Sequence, residues 1–127
     1  MNNLKEDAAS GIIELTSPRE GEIEAFFMFS PELALFTGHF PGHPLVPGIL
    51  ELEMARAALE RFFTGFDLRI VSIEKAKFLR EIKPGEKIRL SANFSAFDEK
   101  KRLSVKSILW VGEEKAAQLE LTMEKNE

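Results

Sequence analysis

The sequence predicts an α+β chain in which one highly twisted antiparallel sheet wraps around one long central helix. Three observations carry this. A single segment, residues 47–63, sustains helical propensity, and its apolar residues cover most of the circumference. Two short β-rich runs precede that segment, and four alternating runs follow it. A helix that is apolar on nearly all sides needs cover on nearly all sides, which a strongly twisted sheet supplies.

Taken in order, "GIIELT" (11–16) and "EIEAFFMF" (22–29) are separated by "SPREG", a turn signal with Pro18 and Gly21, and read as an antiparallel hairpin. "SPELALF" (30–36) reads as a Ser-capped helical turn with Pro31 at its first position. "TGHFPGHPLVPG" (37–48) follows as a shaped loop, because Pro41, Pro44 and Pro47 lack backbone donors and Gly38, Gly42 and Gly48 admit unusual dihedrals. "PGILELEMARAALERFF" (47–63) is the helix, with Pro47 where proline is tolerated, and "TGFD" ends it with Gly65 near the C-cap. Residues 68–80, 87–97, 102–111 and 116–124 alternate apolar and polar residues, with turns at "KPGE", "DEKK" and "GEEK". No repeat, linker or low-complexity segment interrupts the chain, so residues 1–127 read as one domain. The sum is the hotdog arrangement. Such a sheet leaves a lateral edge free, and pairing with a second copy removes it, so a dimer is expected.

Composition narrows the chemistry. There is no Cys, which excludes disulfides, thiolate catalysis and iron–sulfur clusters. A net charge of −4 argues against generic nucleic-acid binding. The opening "MNNLKEDAAS" has neither an apolar h-region nor a basic amphipathic pattern, and no run approaches the length of a spanning helix. The expected compartment is the cytoplasm, with no membrane partner. Eleven Phe against one Trp and no Tyr read first as core packing and second as the lining of an apolar channel. Basic residues gather at Lys75, Lys77, Arg80, Lys83, Lys87 and Arg89, and again at Lys100, Lys101 and Arg102. They are either solvated strand faces and a loop tip or a patch for an anionic partner.

Both histidines, His39 and His43, stand in the proline-rich loop. A metal pair at this spacing needs a helix, and Pro41 and Gly42 lie between them, so metal is the weaker reading. Ser30 lacks a nucleophile-elbow pattern, and no phosphate-cradling glycine motif occurs. What remains is a histidine paired with a carboxylate. Glu53 stands in an apolar helix wall, where desolvation suits a general acid. Glu51 points about 160° away from it, so the two cannot face the same pocket. Against catalysis, Glu53, Arg56 and Glu60 are spaced to form a solvated salt-bridge stripe.

"FTGHFPGHPLVPGILELE" (36–53) resembles the signature of the 3-hydroxyacyl-acyl carrier protein dehydratases of the FabZ/FabA type, roughly GHFPG-x-P-x-x-PG-x-L-x-x-E. "IEKAKFLREIKPGEKIRL" (73–90) is similar to that family's K-x-(K/R)-F-(R)-x-x-V-x-PGD segment. The resemblance implies His39 and Glu53 as catalytic residues, contributed by different subunits of a homodimer, with a trimer of dimers as a higher assembly. It implies Gly48 as the glycine whose N–H polarises the thioester carbonyl, and Phe40 beside it in substrate binding. His43 falls at a variable position and is expected on the loop surface. The implied reaction is loss of water from a 3-hydroxyacyl thioester to give the trans-2-enoyl thioester. The substrate arrives on the phosphopantetheine of acyl carrier protein, a partner the basic segments would suit, and no resident cofactor or metal is called for. The family's glutamate is usually followed by A-(M/L)-A-Q, where this chain has Met54, Ala55, Arg56 and Ala57. Two other functions fit the fold: an acyl thioesterase, and a non-catalytic acyl-binding subunit.

Overall fold

The computed structural model describes residues 3–37 and 42–126, so His39 and Phe40 lie outside the described residues. The elements are α1 (Leu4–Ser10), β1 (Ile12–Thr16), β2 (Glu22–Phe27), α2 (Ala34–Thr37), α3 (Gly48–Phe63), β3 (Asp67–Phe78), β4 (Ile88–Phe94), β5 (Arg102–Val111) and β6 (Glu114–Asn126). The six strands form one antiparallel sheet in the order β1-β2-β4-β5-β6-β3.

Period-two patterning sets the register. Ile23, Ala25 and Phe27 of β2 are buried and stand opposite Ala92, Leu90 and Ile88 of β4, which are buried too. The same face continues through Leu109, Ser107, Val105 and Leu103 on β5 to Ala117, Leu119, Leu121 and Met123 on β6. Against it lies α3, whose Leu50, Met54, Ala55, Ala58 and Leu59 are at most 1% exposed. Among the described residues no helix is long and apolar enough to cross a membrane.

The helix at the N-terminus was not expected. Residues 3–10 carry too few apolar positions to announce one. Asn3 caps α1, accepting from Lys5 N and Glu6 N at 3.0 and 3.3 Å, and Ala8 is fully buried. Gly11 ends α1 with an ordinary φ of −82°, so its small size matters for packing. A Cβ there would lie 2.4 Å from Cε1 of Phe29, a ring 1% exposed. Gly11→Ala should therefore cost about 1–3 kcal/mol through overpacking, read as a lowered Tm. An unchanged Tm would show that the Phe29 ring gives way freely.

Beside the core pair Phe27 and Phe29, phenylalanines gather at the two ends of α3. Phe62, Phe63, Phe66, Phe94 and Phe97 form a cluster at the C-terminal end of α3, with ring centroids 5.1–5.6 Å apart. Lys125 Nζ stands 4.4 Å from the Phe66 centroid and 5.0 Å from that of Phe97. Phe36 and Phe78 lie at the other end, in a cavity wall.

β3 is the edge strand beside β6. Its first turns toward the core are covered at Leu68, but Ile73, Phe78 and the following Leu79 are 51%, 49% and 51% exposed. Ile49, on the first turn of α3, is 57% exposed.

Candidate active site

Pro47 has extended backbone (φ −71°, ψ 152°) and starts α3 without any side-chain cap. Its carbonyl accepts from Leu50 N and Glu51 N at 2.9 and 3.2 Å. The N–H of Gly48 precedes these and has no intrahelical acceptor. It lies at the positive end of the helix dipole, the place where an oxyanion is stabilised. The preceding loop is fixed by Val46 N donating to Ile82 O at 2.8 Å, which ties it to the segment after β3.

Gly48 opens onto a cavity of about 810 Å³. Leu35, Phe36, Leu45, Val46, Phe78 and Leu79 line it with apolar surface, and Arg80 and Glu81 add polar groups. A Cβ at Gly48 would lie 2.9 Å from Cζ of Phe78, so the glycine lets that ring approach the helix mouth. This is a mostly apolar pocket with a few convergent polar groups, the usual form of a small-molecule site.

Gly48 is where the sequence placed it. Glu53 does not line this cavity. Its Oε1 accepts from Arg56 Nε at 2.7 Å, and Arg56 Nη1 donates to Glu60 Oε2 at 2.7 Å. The expected stripe is real but not solvated: Arg56 is 2% exposed, Glu53 16% and Glu60 31%. Glu60 Oε2 also accepts from Leu68 N at 2.8 Å, joining the triad to the start of β3. His43 is exposed, as expected, with Nε2 3.2 Å from Glu81 Oε2.

The buried carboxyl group in the cavity is that of Glu51, a residue not among the expected site residues. It is 3% exposed, and its Oε1 is buried without a hydrogen-bond partner. Burial pushes its carboxyl up to about 8, so it is largely protonated at neutral pH. The signal was present in the spacing, since Glu51 is three residues from Gly48 and shares its helix face.

Several of the basic residues are paired with carboxylates. Arg80 pairs with Glu86 at 3.0 Å and Glu114 at 3.8 Å, Arg89 with Glu24 at 3.6 Å, and Arg102 with Glu124 at 2.8 Å. Among the described residues no three His, Cys, Asp or Glu side chains converge as a metal site would require.

A family model described as ApeI dehydratase, of the ApeI-like group, matches residues 15–125. The chain belongs to the ApeI-like dehydratases. Their kinship with FabZ is direct: the 3-hydroxyacyl-(acyl-carrier-protein) dehydratase FabZ of Petrotoga mobilis is 33% identical over 117 residues, covering 87% of this chain and 81% of that protein. FabZ of Wolbachia pipientis subsp. Culex pipiens is 37% identical over 91 residues, or 65% of this chain and 61% of its own length. Among solved structures, the dehydratase heterocomplex ApeI:P from Xenorhabdus doucetiae superposes with a TM-score of 0.67 at 27% identity, covering 88% of this chain and 95% of that one. A mutant of the fluoroacetyl-CoA-specific thioesterase FlK shares the fold, with a TM-score of 0.68 at 14% identity over 83% of this chain and 84% of that one. The hotdog architecture and the dehydratase family are thus those expected. In this ApeI-like dehydratase the buried glutamate that lines the chain's own cavity is Glu51.

Proposed function

We propose that the chain dehydrates 3-hydroxyacyl thioesters, carried on acyl carrier protein, to trans-2-enoyl thioesters in cytoplasmic fatty-acid or related acyl-chain synthesis. The observation that carries this reading is the uncapped Gly48 N–H at the mouth of an apolar cavity, in a chain whose family is dehydratases. The thioester carbonyl accepts from Gly48 N–H, which withdraws charge and acidifies C2. His39 takes the C2 proton as general base, with Phe40 beside it against the substrate. Glu53, held by Arg56, accepts a hydrogen bond from the 3-hydroxyl and positions it. Acid–base elimination of this kind calls for no resident metal or redox cofactor.

Assembly follows from the edge. A second copy laid against β3 would cover Ile73, Phe78 and Leu79. A homodimer in light-scattering measurements is the expected state.

The test is one reaction with two readouts: purified protein and a short 3-hydroxyacyl thioester of carrier protein, scored for enoyl product and for free thiol. Enoyl without thiol is expected, falling by about 10²–10⁴-fold in His39→Ala and in Glu53→Gln. Mixing the two variants should restore activity if one site draws on both copies. Free thiol without enoyl would replace this reading with the thioesterase, and neither product across several chain lengths would favour an acyl-binding subunit.

A further inference from the structure

The cavity beside Gly48 is apolar along most of its lining, yet one buried polar group stands in it. Glu51 follows Gly48 by three residues, so it lies about one turn further into α3, and both line the same space. The residue is 3% exposed, and its Oε1 finds no hydrogen-bond partner among the described residues. Buried polar side-chain atoms are paired in the large majority of cases, so an orphan inside a cavity calls for a cause.

Nothing else in the lining supplies a partner. The other charged side chains of the cavity, among the described residues, are Arg80 and Glu81. Arg80 pairs with Glu86 and Glu114, and Glu81 Oε2 lies 3.2 Å from His43 Nε2. Leu35, Phe36, Val46 and Phe78 offer no side-chain donor or acceptor. Burial pushes the Glu51 carboxyl up to about 8, so at neutral pH it carries its proton and can donate a hydrogen bond.

A plain alkyl chain filling this cavity shuts Glu51 in and leaves it nothing to bond, which weakens binding. A chain with an oxygen at the right depth accepts from the carboxyl instead. With the thioester carbonyl at Gly48 and the 3-hydroxyl bound by Glu53, the oxygen left for Glu51 is one further along the chain.

We propose that Glu51 is a specificity-determining residue of the acyl cavity, selecting chains that carry a hydrogen-bond-accepting oxygen beyond C3 over plain alkyl chains. This rests on the dehydratase reading above and leaves its acid–base steps as they stand. Glu51 hydrogen-bonds the chain and transfers no proton to it. The sign of the selectivity is what makes the assignment specific. An oxygen taken from water into an apolar cavity without a donor is penalised, so a preference for it requires a donor in the lining.

The experiment measures kcat/KM for enoyl formation on carrier-protein thioesters of equal chain length. One carries 3-hydroxyoctanoyl. The others replace a single methylene, at C5, C6 or C7, by an ether oxygen, which accepts a hydrogen bond and changes the shape little. The wild type should favour at least one ether chain by about 10-fold or more. Glu51→Met, similar in size and without a donor, should reverse that order, gaining on the plain chain and losing on the ether chain. Glu51→Gln should keep the wild-type order, because a carboxamide also donates. A wild type that turns over the plain chain as well as every ether chain would overturn the assignment, whether or not any variant folds. So would a Glu51→Met that changes all substrates by one common factor, the mark of a structural role. Absence of enoyl product from every substrate would instead overturn the dehydratase reading itself.

Discussion

Arg56→Ala is expected to destabilise the protein by about 3–5 kcal/mol, the range for breaking a buried ion pair by removing one partner. The guanidinium is 2% exposed and bridges two carboxylates at 2.7 Å each. Without it, Glu53 and Glu60 would be left part-buried, close together and like-charged. Glu60 also accepts from Leu68 N, so the loss should loosen the start of β3 as well as the helix. Urea unfolding measures it directly, and a midpoint shift worth under about 1 kcal/mol would place the triad among weakly contributing surface pairs. Replacing all three residues together by Gln, Met and Gln should recover most of the stability, because no part-buried charge is then left without its partner. Activity should not recover with it, since the replacement also removes the Glu53 carboxylate to which the proposed reaction gives a role.

A second large effect is a stability that declines with pH. Glu51 ionises near the ordinary carboxylate value of 4.5 in the unfolded chain but at about 8 in the folded protein. Between these values the folded state holds a proton that the unfolded state has released. Stability therefore falls as pH rises through that window and levels off above about 8. The full difference is on the order of 5 kcal/mol, each pH unit being about 1.4 kcal/mol. Glu51→Gln removes the titration, so the variant should match the wild type near pH 5 and exceed it by several kcal/mol near pH 9. Thermal melts at the two values decide this, and parallel pH profiles for both proteins would show that Glu51 ionises freely in the fold.

The two carboxylates mark how far the sequence could be read. That Glu51 and Glu53 diverge followed from helical periodicity alone. Which of them faces the cavity did not, because α3 is apolar almost all the way round and no side of it announces itself as the ligand side. The structure decides through Phe78 and Leu35, residues distant in sequence that line the same cavity as Glu51. The hairpin, the long helix and the four later strands were legible because their periodicities are sustained and most of their turns carry Gly or Pro. Helix α1 was not, since one buried alanine and an asparagine cap are all that mark it, and its conformation rests on packing against α3. Arg56 was read as solvated from its charge, yet its two glutamates let it be covered.

The Phe62–Phe97 cluster and the Gly48 cavity occupy opposite ends of one helix. Chemical duty and mechanical anchorage are thus held by separate stretches of α3, with the Glu53–Arg56–Glu60 network between them. Substitutions around Leu45, Val46 and Phe78 can reshape the cavity while the aromatic end keeps the chain folded. A lineage built on this plan can change its diet without rebuilding its frame.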